Sequence, residues 1–360
     1  MALNETMAEA LRLTRSGNLM EATALLQAAL GSGEPISPKS AANVRPIWPE
    51  RALLGAPRAV GPDPAARPAP QARQPDRRAS FEERTCRTSQ GSMNYWLYRP
   101  ANVAANAPLF VMLHGCTQSP QDFARGTGMN LLADERGFLV AYPQQNPAAN
   151  PQKCWNWFRP GDQQRDRGEP AQLAAITRQI IADHGIDPER VYIAGLSAGG
   201  AAAAIMAAQY PDLYAAVGIH SGLACGSARD LPSALAAMQR GAGANRTEPG
   251  NPSFVPLITF HGDRDATVSE VNSREIVAAA AAAAGKALTV RVEQGRSKSG
   301  RNYTRARSID SSGTALIEQW TIDGLGHAWS GGNALGSYTD PSGPEASRAM
   351  MEFFLGLTRA

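Results

Sequence analysis

The chain has 360 residues, of which 43% are hydrophobic and 19% charged, and its formal net charge is +3. These proportions are typical of a globular protein with a substantial core, built as one large domain or two small ones. No segment approaches the roughly 18 consecutive apolar residues of a membrane-spanning helix, so we expect no membrane span. The first residues include two acids and no apolar stretch, which does not fit a secretory signal, and we expect a cytoplasmic location.

Residues 1–30 carry two short amphipathic patterns on either side of Ser16-Gly17-Asn18. Apolar residues recur at helical spacing in both, which predicts a helical hairpin. A single hairpin buries too little surface to be stable alone, so it must dock on the main domain, on a second copy or on another partner. The residues that carry the two patterns are Leu3, Met7 and Leu11, and then Ala22, Leu25, Leu26, Ala29 and Leu30.

Residues 31–80 contain ten of the 26 prolines and an excess of arginine that gives the segment a local charge of +4. Such a segment cannot bury enough apolar surface to offset the entropy lost on ordering, which predicts a flexible linker. Proteins that bind nucleic acids place their basic residues on a folded surface. Because the excess positive charge falls in the linker, we expect no nucleic-acid partner.

Residues 81–360 alternate apolar segments of strand type with helical segments, and this part is predicted to be the catalytic domain. Several strand candidates are continuously apolar, as at Leu109–Leu113, which indicates burial on both faces. The alternation predicts an α/β fold with a mostly parallel central sheet and helices on both faces. Because only loop-like residues separate the last two strands, we expect those two strands to form an antiparallel pair. Strands are expected at 94–98, 109–113, 138–142, 190–194, 214–219, 255–260, 288–293 and 315–322, and helices at 122–135, 171–183, 198–209, 271–284 and 344–356.

One strand candidate leads directly into Gly195-Leu196-Ser197-Ala198-Gly199, which an alanine-rich helix follows. A G-x-S-x-G pattern between a strand and a helix is the nucleophile elbow of α/β-hydrolases. The serine of this elbow occupies a strained turn, and the flanking glycines leave room for the adjoining strand and helix. The pattern therefore predicts an α/β-hydrolase fold with Ser197 as the nucleophile.

A serine nucleophile needs a base, and histidine is the most frequent one. In this fold the partners follow in the chain order serine, acid, histidine. Of the five histidines, only His220, His261 and His327 come after Ser197. His220 leaves too little chain for an intervening acid on a strand of its own, whereas His327 lies in a loop after the last predicted strand. His327 is therefore the predicted general base.

The acid is expected in a loop that follows a strand between Ser197 and His327. The loop after the strand candidate at 255–260 supplies Asp263 and Asp265. Asp263 lies in the tight turn, where a carboxylate usually accepts from local backbone, whereas Asp265 is far enough along the loop to reach the histidine. Asp265 is therefore favoured over Asp263, and Asp323 is a weaker alternative because it is so close in sequence to His327.

The tetrahedral intermediate of acyl transfer carries an oxyanion, which two backbone N–H groups stabilise. One donor is the residue after the nucleophile, here Ala198, and the other comes from the loop after an early strand. In the loop Leu113-His114-Gly115-Cys116-Thr117-Gln118 the predicted donor is Cys116. The chain has no P-loop, H-E-x-x-H pattern, dinucleotide fingerprint or C-x-x-C pair, so we expect neither a cofactor nor a metal.

Four motifs stand out as a set: Leu113-His114-Gly115-Cys116-Thr117-Gln118, Cys154-Trp155-Asn156-Trp157-Phe158, Gly195-Leu196-Ser197-Ala198-Gly199-Gly200 and Gly326-His327-Ala328-Trp329-Ser330-Gly331-Gly332. Together they closely resemble those of the poly(3-hydroxybutyrate) depolymerase-like esterases with a type-1 catalytic domain. These enzymes are related to the feruloyl and acetyl xylan esterases of carbohydrate esterase family 1. The resemblance covers about residues 84–356. It implies that the acid is at Asp265, in an H-G-x-x-D pattern, and that Cys116 is bonded to Cys154, although a cytoplasmic protein rarely holds such a bond.

Three tryptophans that flank these motifs, Trp155, Trp157 and Trp329, are predicted to form an apolar wall for an acyl chain or a polyester. Ordinary packing of large side chains is the alternative. The leading functional hypothesis is hydrolysis of short-chain 3-hydroxyalkanoate polyester or its oligomers through an acyl-enzyme. A feruloyl or acetyl xylan-type esterase is the alternative enzyme. The alternative of another class is a granule-binding protein on a hydrolase scaffold, whose partner would be a polyhydroxyalkanoate granule surface.

Overall fold

The computed structural model describes residues 78–89, 91–243 and 253–357. The predicted hairpin at 1–30 and all but the last three residues of the predicted linker lie outside the described residues. The first strand begins at Ser80, one residue before the predicted start of the catalytic domain. None of the helices in the described ranges is long and apolar enough to cross a membrane.

A ten-stranded sheet forms the centre of the described part of the chain. Its strands are β1 (Ser80–Thr88), β2 (Gly91–Arg99), β3 (Leu109–Leu113), β4 (Leu139–Pro143), β5 (Val191–Leu196), β6 (Ala216–His220), β7 (Leu257–Gly262), β8 (Thr289–Arg296), β9 (Asn302–Ile309) and β10 (Ala315–Ile322). Their order across the sheet is β1-β2-β4-β3-β5-β6-β7-β10-β9-β8. The block from β4 to β10 is parallel throughout, and antiparallel strands extend it at both edges. The short strands β11 (Trp329–Ser330) and β12 (Thr339–Asp340) form a separate parallel pair.

Helices cover both faces of this sheet, as the apolar strands predict. They are α1 (Pro120–Thr127), α2 (Met129–Arg136), α3 (Gly168–His184), α4 (Ala198–Gln209), α5 (Leu231–Arg240), α6 (Val271–Ala283) and α7 (Ala346–Gly356). Alternate side chains of β3 enter different cores. Leu109, Val111 and Leu113 pack with α3 to α6, whereas Phe110 and Met112 pack with α1, α2 and α7. The predicted α/β fold, with a mostly parallel sheet between two helical layers, is confirmed.

The structure corrects the sequence prediction at the antiparallel edge. The last two predicted strands, now β8 and β10, do not pair with each other, because β9 lies between them and is antiparallel to both. The sequence of β9 has polar residues on both faces and therefore lacks the apolar alternation that predicts a strand. One of its arginines, Arg305, covers the ring of Trp320 on β10 with its guanidinium group, 5.0 Å from the ring centroid. Aliphatic and guanidinium surface thus takes the place of an apolar side chain here.

Other elements, among them the short strands β11 and β12, also differ from the prediction. The single helix expected at 122–135 is the pair α1 and α2, because Gly128 adopts a left-handed conformation with φ of 63° and ends the first helix. Strand β1 and helix α5 were not predicted. Only one residue of β1 and two residues of α5 are buried, which is too few to reveal a periodicity.

Candidate active site

Ser197 lies between β5 and α4 with φ of 56° and ψ of −120°, a backbone conformation that residues other than glycine rarely adopt. Its backbone N–H donates to the carbonyl of His220 over 2.9 Å. At the two flanking glycines there is no room for a side chain. A Cβ on Gly195 would lie 2.3 Å from the carbonyl oxygen of Gly199, and a Cβ on Gly199 would lie 2.1 Å from that of Leu113. The chain therefore forms a tight elbow that presents Ser197 at the carboxyl edge of the parallel strands.

Asp265, in the loop after β7, and His327, in the loop after β10, are joined by a hydrogen bond of 2.7 Å between Asp265 Oδ2 and His327 Nδ1. Because β7 and β10 are neighbouring parallel strands, both loops emerge at the same edge of the sheet. A carboxylate can only accept, so Nδ1 carries the proton and donates it. In the neutral imidazole this tautomer has its lone pair on Nε2 of His327, which is the atom that a general base uses.

The carboxyl group of Asp265 is fully buried, yet it is held in the charged form. Its Oδ1 accepts the backbone N–H groups of Thr267 and Val268 at 2.9 and 2.8 Å. Burial raises the pKa of this carboxyl, but the hydrogen bond from His327 and the neighbouring donors outweigh burial and hold its pKa below the usual value. Asp263 instead accepts the backbone N–H of Gly324 at 2.6 Å. It therefore fixes the loop that carries His327, called the histidine loop here, and makes no hydrogen bond to the His327 imidazole.

His220 connects the nucleophile elbow to the histidine loop. Its carbonyl accepts from Ser197, and its Nε2 accepts the backbone N–H of Ser330 at 3.0 Å, three residues beyond His327. The imidazole is completely buried and stacks on Phe260 and Trp329. Because Nε2 accepts, the proton is on Nδ1, which lies 3.2 Å from Ser221 Oγ. Chain order eliminated His220 as the base, but no sequence signal indicated this connecting role.

A hydrogen bond from the Ser197 hydroxyl to the His327 imidazole, which would complete a serine–histidine–aspartate relay, is not formed in the described part of the chain. Both residues nevertheless belong to segments that are bonded to His220, since its carbonyl accepts from Ser197 N–H and its imidazole accepts from the N–H of Ser330, three residues beyond His327. Catalytic hydrogen bonds are often long or poorly aligned in structures without a ligand and tighten when substrate binds. The described structure thus contains an oriented acid–histidine pair and a strained serine at one edge of the sheet.

Two backbone N–H groups beside Ser197 are available for an oxyanion. In the loop after β3, Gly115 N–H donates to Gln118 Oε1 at 2.8 Å and Thr117 N–H donates to the carbonyl of Gln152 at 2.7 Å. The N–H of Cys116, between them, has no acceptor among the described residues. Ala198 N–H is also without an acceptor within its helix, because it is the first residue of α4. The loop is close to Ser197, since a Cβ on Gly115 would lie 3.7 Å from Ser197 Cβ.

The loop that carries Cys116 is held in place by the segment that contains Trp155. A disulfide joins Cys116 to Cys154, and the indole N–H of Trp155 donates to the carbonyl of His114 at 3.0 Å. On the other side of this segment, the buried carboxyl of Glu169 accepts from both the backbone and the side chain of Asn156. The sequence analysis missed Glu169, because a lone acid at the start of a helix is usually exposed.

The three tryptophans do not form the exposed wall that the sequence analysis expected. Trp155, Trp157 and Trp329 are only 0%, 6% and 1% exposed. The indole of Trp329 donates to Ser347 Oγ at 3.0 Å and packs edge-on against Phe123. Their role in this structure is the alternative one, which is to pack beneath the loops that carry the site.

The sequence profile of the family described as Esterase PHB depolymerase matches residues 93–285. The chain belongs to this esterase family. Poly(3-hydroxyalkanoate) depolymerase C of Paucimonas lemoignei is 34% identical over 250 residues, which are 67% of this chain and 59% of that protein. An acetylxylan esterase of Coprinopsis cinerea is 33% identical over 137 residues, which are 38% of this chain and 36% of that protein. The chain thus spans less than two thirds of the length of either of these curated relatives.

A solved structure shares the overall fold of this Esterase PHB depolymerase family member. An acetyl xylan esterase from Aspergillus awamori superimposes with a TM-score of 0.59, at 20% sequence identity. The match covers 77% of this chain and 100% of that one. At this identity the similarity shows a common α/β-hydrolase fold, in agreement with the strand order described above.

The Gly199→Ala variant is expected to lose about 3 kcal/mol of folding free energy, because the added methyl group meets backbone that cannot move aside. Thermal and urea unfolding of the purified variant measure this loss. Gly161→Ala is the matched control, since a Cβ at Gly161 meets nothing within 4 Å, and its stability should equal that of the wild type. Equal stability of both variants would show that the elbow is not tightly packed.

The neutral state of His220 predicts acid sensitivity. Burial, and then the nearby His261 and His327, lower the pKa of His220 to about 3, whereas a histidine in an unfolded chain has a pKa of about 6.5. The unfolded state therefore binds a proton that the folded state does not. The contribution of His220 to stability is complete above pH 6.5 and declines as the pH falls toward 3, by up to about 1.4 kcal/mol per pH unit.

His220→Gln tests this prediction, because glutamine can accept from Ser330 N–H but does not titrate. Thermal midpoints measured between pH 7.5 and 4.5 should fall less steeply for the variant than for the wild type. Buried His114, whose pKa burial lowers to about 4, remains in both proteins and acts in the same direction. An unchanged slope in the variant would mean that His220 is not the source of the acid sensitivity.

Proposed function

We propose that the protein is a serine carboxylic-ester hydrolase that cleaves short-chain 3-hydroxyalkanoate polyester or its oligomers through an acyl-enzyme. The observation that carries the proposal is the oriented Asp265–His327 pair at the same sheet edge as the strained Ser197. Membership in the Esterase PHB depolymerase family and the 34% identity to a poly(3-hydroxyalkanoate) depolymerase support the substrate class.

In the proposed mechanism, His327 Nε2 takes the proton of Ser197 as the hydroxyl attacks the ester carbonyl. The buried carboxylate of Asp265 stabilises the imidazolium that forms. The N–H groups of Cys116 and Ala198 donate to the oxyanion of the tetrahedral intermediate, which is negative where the substrate carbonyl was neutral. The imidazolium then protonates the departing alcohol, which leaves an acyl group on Ser197. Water, activated by His327, releases the acid and restores the serine.

Substitution of the three proposed catalytic residues should reduce the turnover of a soluble ester without unfolding the protein. Ser197→Ala and His327→Ala are expected to lower kcat by about 10⁶-fold, and Asp265→Ala by about 10⁴-fold, as in another triad enzyme. Asp263→Ala is the matched control. It removes only a hydrogen bond to the histidine loop, and an effect of about tenfold or less is expected. Wild-type turnover in Ser197→Ala would overturn the mechanism.

The acetylxylan esterase relative of Coprinopsis cinerea favours one alternative, a carboxylesterase of the feruloyl or acetyl xylan type. Initial rates on polyhydroxybutyrate, its soluble trimer, methyl ferulate and p-nitrophenyl acyl esters discriminate between the two. We expect the trimer to be cleaved with a higher kcat/KM than methyl ferulate. Exclusive cleavage of methyl ferulate would reject the polyester assignment and retain the ester hydrolase.

A further inference from the structure

The segment 333–338, called the rim turn here, is held firmly against α1. Asn333 N–H donates to the carbonyl of Gly126 at 2.8 Å, and Ser337 N–H donates to Asp122 Oδ1 at 3.1 Å. Within the turn, the Asn333 side-chain oxygen accepts from Leu335 N–H at 2.9 Å. The conformation of the rim turn is therefore fixed by hydrogen bonds at both of its ends and at its centre.

The rim turn nevertheless presents a leucine to solvent. Leu335 is 77% exposed, and Leu131 on α2 is 66% exposed. Both line one groove of about 420 Å³, together with the ring of Phe81. A rigid turn that exposes a large apolar side chain beside a second one is typical of an interaction surface.

The polar side chains that line this groove carry amide or guanidinium groups. They belong to Gln121, Arg125, Asn130 and Asn333, and no carboxylate is among the lining residues. The side-chain oxygen of Asn130 already accepts from the hydroxyl of Tyr142 at 2.7 Å, and that of Asn333 accepts from the rim turn. The N–H groups of both amides can still donate, and arginine has donors only. The groove combines apolar surface with hydrogen-bond donors.

An aliphatic polyester has the complementary composition, because its ester oxygens only accept hydrogen bonds and aliphatic groups separate them. The rim turn also contacts the loop that carries the proposed oxyanion donor. Gln118 Nε2 donates to the carbonyl of Ser337 at 3.0 Å, and the hydroxyl of Tyr338 lies 3.2 Å from Thr117 Oγ1, next to the proposed oxyanion donor Cys116. Tyr338 is itself held at φ of 51°, an unfavourable conformation for a tyrosine.

We propose that the groove between Leu131 and Leu335 is a docking surface for aliphatic polyester chains, which it holds beside the active site. This inference rests on the proposed function and adds a place where the insoluble substrate binds. The surface acts on adsorption of polymer and not on the bond-breaking step. Soluble short esters have no need of it, because they reach Ser197 by diffusion.

The experiment compares the double variant Leu131→Ser/Leu335→Ser with the matched control Val290→Ser/Val292→Ser. The two valines lie on the edge strand β8 and are 60% and 64% exposed, so the control removes a similar exposed apolar surface elsewhere on the molecule. Three quantities are measured for each protein: adsorption to polyhydroxybutyrate particles, hydrolysis of those particles, and turnover of a soluble p-nitrophenyl ester.

The leucine variant should adsorb to the particles about tenfold more weakly than the wild type and hydrolyse them correspondingly more slowly, with unchanged soluble-ester turnover. The valine variant should match the wild type in all three assays. Equal adsorption of both variants and the wild type would reject the proposed docking surface but leave the proposed esterase activity unaffected. A drop in thermal midpoint confined to the leucine variant also overturns it, because the groove would then be covered by the chain itself. A wild type that hydrolyses no ester at all overturns the proposed function and this inference with it.

Discussion

The candidate site depends on the buried, neutral imidazole of His220. Its carbonyl accepts the N–H of the strained Ser197, and its Nε2 accepts the N–H of Ser330 in the loop that carries His327. Two loops that are more than 100 residues apart in sequence thus share one rigid support. A charged imidazole could not accept from Ser330, so burial and the lowered pKa of His220 are conditions for this arrangement.

The opposite side of the site is fixed by different means. The loop that offers the Cys116 N–H is crosslinked to Cys154, bonded through the indole of Trp155 and closed by the side chain of Gln118. A backbone donor stabilises an oxyanion well only if it is already in place before the charge develops, because reorganisation would cost part of the gain. The rigid bracing of this loop is what such preorganisation requires.

Burial and exposure of large apolar side chains are divided between different parts of this protein. The tryptophans beside the motifs are buried beneath the site loops, whereas Leu131 and Leu335, two of the exposed large apolar side chains, lie on elements without such a motif. Large aromatic side chains near a motif therefore say little about where substrate lies. Their burial against His114, Phe123 and His220 makes them supports of the site.

The sequence by itself predicted the α/β class, the elbow around Ser197, and the pairing of His327 with Asp265. The fold class and the elbow rest on local signals, which are continuously apolar strands and glycines where only a hydrogen fits, whereas His327 and Asp265 were chosen from the chain order of the partners. Local signals can be recognised in the sequence because they depend only on the backbone within a few residues. The strands β1 and β9 left no signal of this kind, since their buried positions are few or filled by arginine stems.

Only the tertiary structure decided how distant residues meet. Parallel pairing of β5, β6, β7 and β10 brings their carboxyl ends to one edge, and this places the loops of Ser197, Asp265 and His327 together. The supporting roles of His220 and Glu169, the burial of the tryptophans and the exposure of Leu335 are equally non-local. Burial and hydrogen-bond partners depend on which surfaces the fold brings into contact, and the spacing of residues along the chain does not contain that information.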